Sequence, residues 1–178
     1  MASVVLIEDS KLTPIKKLIN SLCEISDIDR RGIKIKSLMD EDLNSKSHII
    51  VLNSIQPDSN LSKALDTIIA GGTIIMNSDE KNFAGLRLSK PVRLITYGYN
   101  PKSTVTASSI IMHDNISIQC CIQRQFNTLT GTVLEPQEFM VCTNHMELTA
   151  GDILAAVSVA MLCGASIEKI SGRSQVKV

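Results

Sequence analysis

Short runs of aliphatic residues, separated by helical patterns, constrain the fold of this chain more than any other feature. The runs occupy residues 4–7, 48–53 and 73–77. Such runs are typical of parallel strands that are buried on both faces. Helical spacing of apolar residues over 15–23 and 61–70 lies between them. Strands that alternate with helices imply right-handed crossovers, so the sequence predicts an α/β fold with a doubly wound, mainly parallel sheet.

Local signals predict where the first elements begin and end. Thr13 is expected to cap the first helix and Pro14 to occupy its first position. Gly71 and Gly72 are expected to terminate the second helix. Residues 33–36 alternate between Ile and Lys, which predicts a strand at the edge of the sheet with one wet face.

The second half of the chain changes character. Residues 91–98 read as a further strand, and residues 104–143 are rich in Thr, Ser, Ile and Val with turn signals between them. This pattern predicts antiparallel strands that extend the sheet. A final helix over 148–163 is apolar almost all round and should be buried. We expect a single α/β domain over residues 1–178, because this length is near that of one domain.

Charge and aromatic content exclude several classes of partner. The 18 Lys and Arg balance the 18 Asp and Glu, so no overall basic field attracts phosphate backbones or anionic lipids. The chain has no Trp, two Tyr and three Phe, too few for a base-stacking surface. We therefore expect no nucleic-acid or membrane partner.

Cysteine usage and the amino-terminal residues bear on the compartment. The five cysteines are an odd number and show no CxxC spacing, so neither a disulfide framework nor a zinc ribbon is indicated. Acidic residues follow the first short apolar run, and no basic region precedes it, unlike a signal peptide. We expect a cytoplasmic protein with reduced thiols.

An ordered set of short stretches fills the region from residue 48 onward. They read IVLNSI, PDSNL, GGTIIMNSDE, ITYG, GDILAAVSVAMLCG and SGRSQV at residues 50–55, 57–61, 71–80, 95–98, 151–164 and 171–176. In order and spacing they resemble the central, ATP-binding domain of the Mur ligases. These are ATP-dependent amide ligases of peptidoglycan precursor synthesis. The resemblance implies a P-loop-like topology and a former nucleotide site.

The chain departs from the family where the phosphates would bind. Residues 8–14 read EDSKLTP where the family has a glycine-rich phosphate loop. No glycine there lets the backbone wrap a phosphate, and two carboxylates take its place. Ser59 replaces a metal-associated His, and Lys63 does not match the spacing of the family's carbamylated Lys. The resemblance is thus to a degenerate domain: we expect no cofactor or metal site, and ATP with Mg²⁺ is a disfavoured alternative.

The resemblance implies five vestigial nucleotide-binding residues, namely Lys11, Thr13, Asn77, Asp79 and Asp152. Each has a structural alternative that stays open. Thr13 can cap a helix, Asn77 and Asp79 can form a polar turn, and Asp152 can act as a first-turn acid. No catalytic residue is assigned.

The leading hypothesis is a catalytically inactive Mur-ligase-like domain that acts as a binding or scaffolding module linked to peptidoglycan metabolism. Its expected partners are other proteins or further copies of itself. One alternative is a subunit or fragment of a split ATP-dependent amide ligase. Another is a small-ligand enzyme that uses the crevice at the carboxyl ends of the strands, with Asp79, Asp58 and Lys11 as polar groups.

Overall fold

The computed structural model describes residues 2–7, 12–28, 33–37, 46–53, 60–81 and 87–172. Its first half contains β1 (Ala2–Ile7), α1 (Leu12–Ile25), β2 (Ile33–Ser37), β3 (Ser47–Leu52), α2 (Asn60–Asp66) and β4 (Ile68–Asn77). Its second half contains β5 (Arg93–Tyr97), β6 (Val105–Met112), β7 (Ile116–Ile122), β8 (Phe126–Asn127), β9 (Val133–Leu134), β10 (Gln137–Thr143), α3 (Ala150–Leu162) and α4 (Ile167–Ser171).

The described strands form one large sheet and one small one. The large sheet has eight strands in the order β10-β7-β6-β5-β4-β3-β1-β2. The six strands from β2 to β6 in this order pair in parallel, whereas β7 and β10 pair antiparallel. Strands β8 and β9 form a separate antiparallel pair. The predicted α/β fold with a mainly parallel sheet and an antiparallel extension is confirmed.

The strand order reverses beside β1. The chain passes from β1 to its neighbour β2 and then crosses to β3 on the other side of β1. Parallel sheets of this kind bind ligands in the crevice at the carboxyl ends of the strands next to such a reversal. Two successive antiparallel pairings make β10 run in the same direction as β5, so β10 delivers the chain to α3 at this same edge.

Helices cover the two faces of the sheet unequally. The helix α3 packs against α1 and against β4, β5 and β6. Its residues from Asp152 to Leu162 are all buried, as its apolar sequence predicted. On the other face, α2 contributes Ala64 and Leu65 to a second cluster with Ile50, Leu52 and Ile74 of β3 and β4. None of the helices in the described ranges is long and apolar enough to cross a membrane.

The predicted end of the second helix is wrong. The helix α2 ends at Asp66, and both glycines lie inside β4. They form part of a bulge, because Ser47 pairs with Ile68 while Ile49 already pairs with Thr73. Gly71 has a φ of 76°, and a Cβ on Gly72 would lie 3.0–3.1 Å from two backbone carbonyl oxygens. The glycines are therefore required by a strand bulge and not by a helix end.

The predicted cap of the first helix is also misplaced. The helix α1 already includes Leu12, so Thr13 and Pro14 lie within its first turn. A proline is tolerated there because the first N–H groups of a helix have no intrahelical partner.

Candidate functional site

Polar side chains from four elements meet at the carboxyl edge of the sheet. Asn53 directly follows β3, Asp79 follows β4, Tyr97 and Tyr99 lie at the end of β5, and Asp152 lies in the first turn of α3. We call these five residues the carboxyl-edge site. The parallel strand order and the return of β10 place them together.

A buried hydrogen-bond chain crosses this site. The Asn53 Nδ2 donates to Asp152 Oδ1 over 2.7 Å, and the Tyr97 hydroxyl donates to Asn53 Oδ1. Asn53, Asp152 and Tyr97 are 6%, 5% and 0% exposed. Buried polar groups are costly unless partnered, so this chain fixes the orientation of both the amide and the carboxylate.

The Asp152 carboxylate also caps α3. Its Oδ2 accepts the backbone N–H of Thr149 over 2.8 Å, and the Thr149 hydroxyl accepts the backbone N–H of Asp152 over 3.2 Å. This reciprocal pair is a capping box. Both Asp152 oxygens are thus held by the protein's own donors.

The Asp79 carboxylate is held in a similar way. It accepts the backbone N–H groups of Tyr99 over 2.6 Å and of Asn100 over 3.0 Å. Asn77 Oδ1 in turn accepts the backbone N–H of Asp79 over 3.0 Å. Gly98 lies beneath, with a φ of 140°, and a Cβ there would stand 2.5 Å from Asp79 Oδ2. Only glycine lets the end of β5 approach this carboxylate so closely.

The negative charges of Asp79 and Asp152 both act on the pKa of the Tyr99 phenol. Burial, followed by the negative charges of Asp79 and Asp152, raises the pKa of Tyr99 above its ordinary value. The raised pKa keeps the hydroxyl protonated at neutral pH, and the side chain is 54% exposed, so the hydroxyl is available as a donor. With two carboxylates and no basic side chain among its five residues, the site favours hydroxyl, amide or cationic groups over phosphate.

Within the described ranges, no group of three His, Cys, Asp or Glu side chains is placed to hold a metal ion.

The sequence-predicted residues have different places. Asp79 and Asp152 are brought together, since both act on the Tyr99 phenol. Asn77 stabilises the adjoining turn. Lys11 lies outside the described residues, as do Asp58 and Ser59, and Thr13 is described only as part of the α1 backbone.

Sequence reasoning missed Asn53, Tyr97 and Tyr99. The available signal was positional, because Asn53 directly follows a buried strand and the only two tyrosines of the chain flank the end of β5. Lys63 lies on α2 and lines a pocket with residues 66–70, where β4 begins.

No protein-family model and no curated protein matches this chain. Solved structures do match it. A UDP-N-acetylmuramoylalanyl-D-glutamyl-2,6-diaminopimelate–D-alanyl-D-alanyl ligase from Acinetobacter baumannii superposes with a TM-score of 0.69 at 13% identity, over 97% of this chain and 45% of that one. The fold is Mur-ligase-like.

Two further ligases agree. The MurF ligase from Thermotoga maritima in complex with ADP gives a TM-score of 0.62 at 8% identity, over 97% of this chain and 48% of that one. The UDP-N-acetylmuramate:L-alanyl-gamma-D-glutamyl-meso-diaminopimelate ligase from Neisseria meningitides gives 0.64 at 11% identity, over 96% and 64%. At such identities the likeness concerns the fold alone. The chain spans less than two thirds of the length of each of these Mur ligases.

Proposed function

We propose that this Mur-ligase-like domain does not ligate and acts as a binding or scaffolding module linked to peptidoglycan metabolism. The observation that carries the proposal is that the two carboxylates of the carboxyl-edge site already bind the protein's own donors. Both oxygens of Asp152 and both oxygens of Asp79 accept hydrogen bonds from the protein itself. Each carboxylate oxygen can accept a second hydrogen bond, so a ligand at this edge would share these carboxylates with the protein's own donors and would meet their negative charge.

Charge supports the same proposal. Amide ligation with ATP requires groups that neutralise phosphate and position the reacting atoms. The carboxyl-edge site contributes two negative charges instead. Residues 8–14, which follow β1 in the sequence, include two acidic residues and no glycine. This combination repels a triphosphate.

An exposed apolar face supports the binding role. Ile111 of β6 and Met140 of β10 are 52% and 44% exposed. By strand alternation and register they share the sheet face opposite α3. Exposed apolar side chains on one sheet face are candidates for a protein contact surface. The proposed partner is therefore a protein, either another chain or a second copy.

Calorimetric titration with Mg-ATP tests the proposal, with the MurF ligase from Thermotoga maritima as the positive control. We expect no saturable heat in the micromolar range for this chain. Saturable micromolar binding that disappears in an Asp152→Asn or Lys11→Gln variant, or phosphate release coupled to amide formation, would overturn the proposal. Binding that persists in those variants and disappears in Lys46→Gln/Lys63→Gln would place the ATP in a different pocket and leave the proposal standing.

A second candidate function, a small-ligand enzyme at the carboxyl-edge site, is favoured by one observation. The exposed Tyr99 phenol is a protonated donor beside two carboxylates. An activity carried by this arrangement would be lost in Tyr99→Phe, which removes the hydroxyl and keeps the ring. A metabolite screen should therefore compare the unchanged chain with Tyr99→Phe. Turnover by the unchanged chain that is lost in Tyr99→Phe would favour the enzyme over the scaffold.

A further inference from the structure

A pocket of about 690 Å³ lies at the amino edge of the sheet, at the opposite end of the strands from the carboxyl-edge site. Its lining includes Lys46, Lys63, Asp66, Thr67, Ile68 and Lys90. We call it the lysine pocket. It is unrelated to the residues that the Mur-ligase resemblance implied.

Three separate segments supply the lysines. Lys46 precedes β3, Lys63 lies on α2 and Lys90 precedes β5. All three line the same pocket as residues 66–70, which join α2 to β4. Ser47 donates its backbone N–H to the Thr67 carbonyl over 2.9 Å, which places Lys46 beside this junction.

The floor of the pocket is held rigidly. The hydroxyls of Ser47 and Thr67 lie 2.9 Å apart, and the Thr67 hydroxyl donates to the Ala64 carbonyl over 2.7 Å. The bulge beside it is tied down as well, because Gly71 donates its backbone N–H to the Pro91 carbonyl over 2.8 Å. A pocket already held in place loses little conformational entropy on binding, which favours affinity.

The lysine charges are not neutralised by carboxylate contacts. Lys90 Nζ donates to the backbone carbonyls of Asp66 over 2.6 Å and of Ile68 over 2.7 Å, both neutral acceptors. In the part of the chain that the structure describes, Lys46 and Lys63 form no ion pair or hydrogen bond through their ammonium groups. The pocket is therefore lined by three lysines and one acidic residue, Asp66, although the whole chain has no net charge.

We propose that the lysine pocket binds a small molecule with two anionic groups, either phosphates or carboxylates. The volume lies within the range of about 300–1,000 Å³ that is usual for small-molecule sites. An excess of two positive charges matches two anionic groups, and charge-assisted hydrogen bonds from lysine are suited to both chemistries. This site is additional to the proposed scaffolding role and does not depend on it.

Nuclear magnetic resonance titration of the ¹⁵N-labelled chain with pyrophosphate tests the proposal. We expect saturable shifts at the amides of Thr67, Ile68, Ile69 and Ala70. Inorganic phosphate, which has a single group, should bind about tenfold more weakly, since one charge-assisted contact is lost. Succinate, which has two carboxylates, distinguishes the two sources in a parallel titration: tighter binding of succinate assigns the pocket to carboxylates, and tighter binding of pyrophosphate assigns it to phosphates.

The decisive variant is Lys46→Gln/Lys63→Gln, which leaves the tethered Lys90 in place. Both replaced side chains are exposed, so the fold should persist, and the spectrum itself confirms it. The matched control, Lys16→Gln/Lys34→Gln, removes the same charge from exposed positions on α1 and β2. We expect affinity for pyrophosphate to fall about tenfold or more in the first variant and to stay within about twofold in the control.

Absence of saturable shifts at these amides, or an equal loss in both double variants, would overturn the lysine pocket as a site. Neither result bears on the scaffolding proposal, which is tested by the shifts of the backbone amides at the carboxyl-edge site. Conversely, Mg-ATP binding at Asn53 and Gly98 would overturn the scaffolding proposal and leave the lysine pocket unaffected.

Discussion

The side-chain amide of Asn53 donates a 2.7 Å hydrogen bond to the carboxylate of Asp152, across 99 residues of sequence. The contact joins the end of β3 to the first turn of α3. Because both residues are buried, each depends on the other to satisfy its polar atoms.

Replacement of Asp152 by Ala should therefore destabilise the chain strongly. Loss of the capping box costs about 1 kcal/mol, and the unpartnered Asn53 amide adds about 1–3 kcal/mol. Urea unfolding of Asp152→Ala, Asn53→Ala and the double variant gives the coupling energy. We expect at least about 1 kcal/mol of coupling; additivity within about 0.3 kcal/mol would show that the bond is energetically unimportant.

Gly98 should not tolerate a side chain. In Gly98→Ala the positive φ and the approach of Cβ to Asp79 Oδ2 add together, for a loss of about 3 kcal/mol in the free energy of unfolding. Gly131 provides the control, because it also has a positive φ, 88°, and open space around it. Gly131→Ala should cost about 1 kcal/mol. Equal losses in the two variants would mean that the carboxylate can move away freely.

The Tyr99 phenol should ionise above its ordinary pKa. ¹³C tyrosine resonances followed against pH measure this directly, since the chain has only two tyrosines. Asp79→Asn should lower the pKa of Tyr99 only in part, because burial is the larger cause and the Asp79 charge the smaller. The raised pKa contributes stability that is complete below the unfolded-state value of about 10 and is lost as pH rises through the folded-state value. A pKa that is unchanged in Asp79→Asn would remove Asp79 from the neighbourhood of the phenol.

The five cysteines should divide into two groups on alkylation. Burial raises the pKa of Cys23 to about 11 and those of Cys120 and Cys163 to about 12. Their thiolate fraction at pH 8 is negligible, and the thiolate is the reactive form. Cys121 and Cys142 are only half-buried. Mass spectrometry after brief iodoacetamide treatment should show adducts on these two alone, and early modification of Cys120 would contradict the buried face of β7.

The sheet was predictable because its signals are local. The apolar runs at 48–53 and 73–77 became β3 and the carboxyl half of β4, and the Thr- and Ser-rich region became β6, β7 and β10. The Gly71 and Gly72 prediction was wrong because a bulge and a helix end both require glycine, and only the pairing of β4 with β3 distinguishes them.

The carboxyl-edge site was predictable only in part. Asp79 and Asp152 could be proposed from the family resemblance, which fixes positions along the chain. The bond between Asn53 and Asp152 could not, since it depends on the packing of α3 over the sheet across a long sequence separation. Tyr97 read as an ordinary strand residue, although its hydroxyl completes the buried chain.

The proposed loss of ligation is tested most directly by a ¹⁵N nuclear magnetic resonance titration of the intact chain with Mg-ATP. The reporters are the backbone amides of Asn53, Gly98, Gly151 and Asp152, which surround the carboxyl-edge site. A site whose carboxylates bind the protein's own donors and carry negative charge predicts that these amides do not shift up to millimolar Mg-ATP. Saturable shifts at these amides in the micromolar range would contradict it and restore a nucleotide site to the domain.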